Sequence, residues 1–244
     1  MIALGRRVYG LGAILLGLVG LAWGDFALQW QPVPESVPHR TLLAYAVGAA
    51  LALAGAGTVW RRTTALGTLA LTVIFMLIVV LLHLPRVVAH PFTFTPWGGI
   101  GEQLALAAAG LVAYASSPGV RMKSLIQVGQ LTFGVCLLIF GLAHFLYLGF
   151  TASMVPGYLP PSRMFWAVAT GIFHVAAGVA ILSGIQARLA AILLTVMFAL
   201  FSVLIHIPAL LAGPHSHLNW VMNGINLALT GAAWVVADSL GRRR

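Results

Sequence analysis

The stretch Leu66–Pro91, LGTLALTVIFMLIVVLLHLPRVVAHP, returns 123 residues later as Leu189–Pro214, LAAILLTVMFALFSVLIHIPALLAGP. The shift carries His83 onto His206, Pro85 onto Pro208, Pro91 onto Pro214 and Thr72–Phe75 onto Thr195–Phe198. The register holds without a gap from Pro38 and Pro161 to Tyr114 and Ala237, with about 26 of roughly 77 positions identical. The chain therefore reads as two copies of one unit. Residues 1–117 form the first, 118–123 a linker, and 124–244 the second.

Composition decides what the unit is made of. With 61% hydrophobic and only 7% charged residues, the chain falls far below the roughly 25% charge of a soluble domain. Apolar runs of about 20 residues recur, each long enough to cross a hydrocarbon core of about 30 Å. Backbone polar groups in such a core are satisfied internally, so the runs are expected to be helices. The expected fold is all-α, a polytopic membrane bundle of eight transmembrane helices arranged as two parallel four-helix repeats. Cys136 is the single cysteine, which excludes an intramolecular disulfide, a CxxC redox pair and a cysteine metal site.

The expected spans are Val8–Leu28, Thr41–Trp60, Thr63–Leu84, Gly99–Ala115, Ser124–Gly149, Met164–Gly184, Ala187–Ile207 and Leu218–Ala237. The first follows Arg6-Arg7 as a signal peptide would. It aligns with an internal segment, however, and no small-x-small cleavage site follows it, so it reads as a retained helix. Arg6, Arg7, Arg61, Arg62, Arg121, Lys123, Arg188 and Arg242–Arg244 fall on one side, and only Arg40, Arg86 and Arg163 on the other. The positive-inside rule then puts both termini in the cytoplasm, in the cytoplasmic (inner) membrane. An even number of spans per copy makes the repeats parallel, related by a pseudo-twofold axis along the membrane normal.

No histidine falls on the basic side. His83 and His206 stand two residues before prolines, which are expected to end helices 3 and 7 and free nearby carbonyls. They read either as interfacial helix-end residues or as proton carriers facing each other across the pseudo-twofold. Arg40 and Arg163 occupy matching positions after proline-containing loops, either snorkelling to headgroups or clamping an anion or a quinone carbonyl. Polar groups within the spans are costly and should face the bundle or a cavity. The first copy supplies Asp25, Glu102 and Gln103, the second His144, His174, Asn223 and Asn226. Glu102 also suits the positive end of a helix, and His174, near mid-membrane, is the most costly to leave without a ligand-lining role. His215-Ser-His217 with His90 has donor types suited to copper or zinc, but HxH alone is a weak pattern. Glycines of helix 1 with Gly48 and Gly171 suit close helix packing.

The chain resembles the DoxX-like membrane family. The likeness lies in Gly17–Phe26, GLVGLAWGDF, with Gly141–Phe150, GLAHFLYLGF; in Ala46–Gly57, AVGAALALAGAG, with Ala169–Ala180, ATGIFHVAAGVA; and in Gly101–Val112, GEQLALAAAGLV, with Asn223–Val235, NGINLALTGAAWV. The first copy departs from the pattern in having Gly20 where the second has His144. The resemblance implies a tandem duplication of a four-helix unit. Some members are membrane subunits of a thiosulfate:quinone oxidoreductase, and others act as cargo receptors or assembly chaperones.

Two readings stay open. In one the protein is a quinone-linked oxidoreductase component with an outward-facing hydrophobic pocket. There Arg40 or Arg163 polarises a carbonyl, Glu102, Asn223 and Asn226 bind ligand, and His83, His206, His144 or His174 carries protons. A haem variant, with two histidines as axial ligands, lacks a haem motif, and no metal ligand set is assigned. In the other the protein is not an enzyme, and binds a lipid-like ligand, assists assembly of a partner subunit or homo-oligomer, or transports. Nucleic acid is not an expected partner.

Overall fold

A computed structural model of the chain describes residues 2–241. The basic residues Arg242–Arg244 used for the orientation lie outside the described residues. The described part is all-helical. The first copy comprises α1 (Ile2–Trp23), α2 (Arg40–Val59), α3 (Thr64–Ile78), α4 (Leu84–Ala89) and α5 (Phe94–Ala115). The second comprises α6 (Lys123–Leu146), α7 (Leu148–Met154), α8 (Arg163–Ser183), α9 (Ala187–Phe201), α10 (Ile207–Ala212) and α11 (His217–Leu240).

Seven segments are long and apolar enough to cross a membrane: Leu4–Trp23, Arg40–Val59, Thr64–Ala89, Lys123–Leu146, Arg163–Ser183, Ala187–Ala212 and His217–Leu240. Helix α5 has 22 residues but is less apolar. Its first turns carry Thr95, Pro96, Glu102 and Gln103, and the rest is built from alanine and glycine that pack against other helices.

The helices close into a ring. In order around it stand α1, α2, α3, α5, α6, α8, α9 and α11, and α11 returns to α1, while α5 and α11 also touch across the middle. Each seam between the copies joins the first helix of one to the last of the other: α1 with α11, and α6 with α5. Within each copy the first two helices cross glycine on glycine, which lets backbones approach closely. A Cβ on Gly48 would meet the carbonyl of Gly17 at 2.9 Å, and one on Gly55 that of Gly10 at 2.6 Å. In the second copy, Gly178 stands against the carbonyl of Gly134 at 2.8 Å in the same sense.

The prolines do not end their helices. Before each of them lies one π-helical turn, Val79–His83 and Ser202–His206, and the chain then continues as α4 and α10. Pro85 and Pro208 sit in the first turn of those short helices, where a missing N–H costs little. The two π turns are 123 residues apart, the same offset as the sequence repeat. A π turn lengthens the hydrogen-bond step and leaves carbonyls in need of other donors. In the second copy asparagines of α11 supply them. Asn226 Nδ2 donates to the Phe198 carbonyl at 2.9 Å and to Ser202 Oγ at 2.7 Å. Asn223 Nδ2 donates to the carbonyls of His206 at 2.9 Å and Asn219 at 2.8 Å. The first copy has Ile100 and Gln103 at these positions, and Gln103 Oε1 is buried with no hydrogen-bond partner among the described residues.

One further departure concerns the expected helix ending at Gly149. It breaks at Tyr147, and α7 starts at Leu148.

Candidate functional site

Two clefts open at the end of the bundle opposite the basic one, and they occupy the same place in the two copies. The first, of about 690 Å³, is lined by residues including Gln29, His83, Arg86, Gly99 and Glu102. The second, of about 380 Å³, is lined among others by Ser153, His206, Ala209 and Met222. The 123-residue shift maps His83 to His206, Arg86 to Ala209, and Gly99 to Met222. Gln29 maps to Ser153 with the one-residue slip that helix 1 shows. The first cleft is the more polar of the two.

A single position separates the two histidines. In the first copy His83 is buried, 2% exposed, and its Nε2 lies 3.1 Å from the Trp30 carbonyl. A carbonyl only accepts, so Nε2 carries the hydrogen and Nδ1 keeps a lone pair. That Nδ1 edge lies flat on Gly99, where an added Cβ would stand 2.5 Å from it. Met222 fills the matching position in the second copy. Its Cβ excludes the ring from that pocket, so His206 turns into the cleft with neither ring nitrogen hydrogen-bonded among the described residues. Met154, Pro156, Tyr158 and Met222 form the apolar walls around it.

In the first cleft Glu102 is half-buried on α5, with the Trp30 indole beside its carboxyl. Arg86 stands exposed at the rim, its Nη2 donating to the Pro32 carbonyl at 3.3 Å. His90, Thr93 and Thr95 complete the mouth, and Thr95 Oγ1 is hydrogen-bonded to the Tyr147 hydroxyl of the other copy at 2.7 Å.

The remaining candidates divide into groups. His144 and His174 meet, their ring centroids 4.7 Å apart. Each uses Nδ1 to donate to the carbonyl four residues earlier, Phe140 and Thr170, both at 2.8 Å. Both Nε2 atoms therefore carry lone pairs, and His174, 1% exposed, is also packed by Phe140 and Phe198. Asn223 and Asn226 brace the π turn of α9–α10, as described above. Arg40 pairs with Asp25 at 2.5 Å and lies over the Phe26 ring, so its guanidinium is already engaged. Arg163 arches over Gly157 at the start of α8. His83 and His206 line separate clefts instead of facing one another.

The metal constellation does not assemble. His217 stacks on Trp23 at 5.1 Å in the α1–α11 seam, while His90 belongs to the first cleft. Among the described residues no group of three ligating side chains comes together. Residues that the sequence left out of the site are Gly99, Met222 and Arg86. Their signal was present as mismatches within an otherwise aligned repeat.

Residues 133–237 match a family described as "Domain of unknown function (DUF8561)". The match covers most of the second copy. No curated protein and no solved structure matches the chain.

Proposed function

We propose that the protein is an eight-span membrane protein that binds a quinone-like molecule, a small ring bearing two carbonyls, in the second cleft. The observation that carries this reading is the His206 imidazole, without a hydrogen-bond partner among the described residues, in a cleft walled by methionine, proline and tyrosine. A flat, apolar ring fits between such walls, where thioether–aromatic contacts are favourable. The imidazole N–H donates to one carbonyl and orients it. The exposed Ile207 and Leu211 beside the mouth give an aliphatic tail a path into lipid.

The eighth span is α5. It stands 123 residues before α11, which is itself long and apolar enough to cross, and its small residues face other helices instead of lipid. Both termini are cytoplasmic in this reading. It is supported by the gathering of basic residues at one end, where Arg6 Nη1 reaches Ser117 Oγ at 3.3 Å and Arg188 lies against Gly241. The clefts then open toward the outer face of the cytoplasmic membrane. The resemblance to DoxX-like proteins, some of which serve quinone-linked oxidoreductases, supports the same assignment. Electrons come from a partner polypeptide, because one buried cysteine provides no dithiol.

The test is saturable binding of a short-tailed benzoquinone to the detergent-purified protein, followed by tryptophan quenching. His206→Ala is expected to weaken binding about ten-fold, the worth of one hydrogen bond. Met222→Trp, which fills the cleft, is expected to abolish it. Unchanged affinity in both variants ends the reading.

A further inference from the structure

The first cleft has a charge arrangement of its own. Arg40 is held in an ion pair by Asp25. Glu102 and Arg86 line one cleft with opposite charges, and neither forms an ion pair with a described side chain; the neighbour of the Glu102 carboxyl is the uncharged Trp30 indole. A half-buried carboxylate without a counter-ion is costly, and a ligand cation removes that cost. The deep part of the cleft is acceptor-rich: the Glu102 carboxylate and the His83 Nδ1 lone pair, fixed by the bond from Nε2 to the Trp30 carbonyl. The mouth is donor-rich, with the Arg86 guanidinium and the His90 imidazole. An acceptor floor under a cationic rim is complementary to a zwitterion.

We propose that the first cleft binds a primary ammonium joined to a phosphate, the chemistry of a phosphoethanolamine headgroup. The ammonium N–H groups donate to Glu102 and to His83 Nδ1, and the phosphate oxygens accept from Arg86 and His90. The specificity follows from the hydrogens. A trimethylammonium has no N–H and leaves both acceptors unmet, while a glycerol headgroup leaves the carboxylate uncompensated. Such a ligand comes either from a lipid at the membrane surface or from a free phosphoethanolamine ester. This inference is independent of the quinone reading, since it concerns the other cleft and other residues.

The experiment is lipid retention by the full chain in mixed micelles holding equal amounts of phosphatidylethanolamine, phosphatidylcholine and phosphatidylglycerol, read by native mass spectrometry. The expected result is about ten-fold preference for phosphatidylethanolamine, the scale of a charge-assisted hydrogen bond. Glu102→Gln, which keeps volume and removes charge, is expected to erase that preference, and Arg86→Gln to lower retention of all three lipids. Unfolding midpoints within a few degrees of the parent confirm that the variants are folded. Displacement by water-soluble glycerophosphoethanolamine identifies the headgroup alone as the ligand, and failure to displace identifies the whole lipid. Equal retention of the three lipids, or a preference that survives Glu102→Gln, overturns the proposal.

Discussion

The two clefts occupy one position in a duplicated scaffold and differ in almost every polar group. In the first, glycine at 99 lets an imidazole lie against the helix backbone and bond to a loop carbonyl, and the charged groups of the cavity are Glu102 and Arg86. In the second, methionine at 222 takes that place, Arg86 is replaced by Ala209, and the imidazole becomes the principal polar group of an apolar cavity. The histidine is common to both copies, yet its task is set by the residue facing it. An internal repeat thus serves as its own control.

The most disruptive way to break the contrast is Gly99→Met. The new side chain collides with the His83 ring and removes its bond to Trp30, combining overpacking with a lost buried hydrogen bond. Stability is expected to fall by about 2–4 kcal/mol, seen as a lower unfolding midpoint. Next comes the pair of histidine deletions. His83→Ala strands the Trp30 carbonyl and leaves a cavity, for an expected loss of about 2 kcal/mol. His206→Ala is expected to change stability by less than about 0.5 kcal/mol, because its ring has no hydrogen-bond partner among the described residues. Equal losses in the two would contradict the asymmetry.

A smaller effect sharpens the comparison at the π turns. Asn226→Leu removes two donors from the turn at Ser202–His206 and is expected to cost about 1–2 kcal/mol. Gln103→Leu at the matching position discards an unsatisfied buried oxygen and is expected to be neutral or mildly stabilising. Chemical or thermal unfolding of both variants in one detergent decides the point. The smallest effect belongs to Asp25→Asn, which weakens a partly exposed ion pair with Arg40 and is expected to cost at most about 1 kcal/mol.

Much of the fold was legible because apolar runs of membrane length and a gapless repeat are patterns of side chains. The helical bundle and the placement of its main helices follow from them. Three features were not legible for one shared reason: they are decisions of the backbone. Proline at 85 and 208 signals a helix end in isolation, but a π turn just before it moves the ring into a position where no N–H is needed. The break at Tyr147 has no glycine or proline to announce it. The less apolar start of α5 lies at the open mouth of the first cleft, and the helix is enclosed by others only from Ile100 onward. At the site, the histidines were legible as candidates, but their partners were not. Nothing in the residue types of Trp30, Gly99 and Met222 says that a carbonyl, an open helix face and a thioether settle where each ring points. The His144–His174 contact joins α6 to α8 and needed the same tertiary information.

The closed ring has a consequence for how such differences arise. Each seam joins a first helix to a last one, so the two seams are equivalent, as in an isologous dimer. A single copy of the unit, pairing with itself, would form the same eight-helix ring with two identical clefts. Any change made to one cleft would then appear in the other. Joining the copies through 118–123 removes that constraint, and position 222 can hold methionine while position 99 keeps glycine. Covalent fusion here is what makes asymmetry heritable: two different clefts can be carried by one symmetric body.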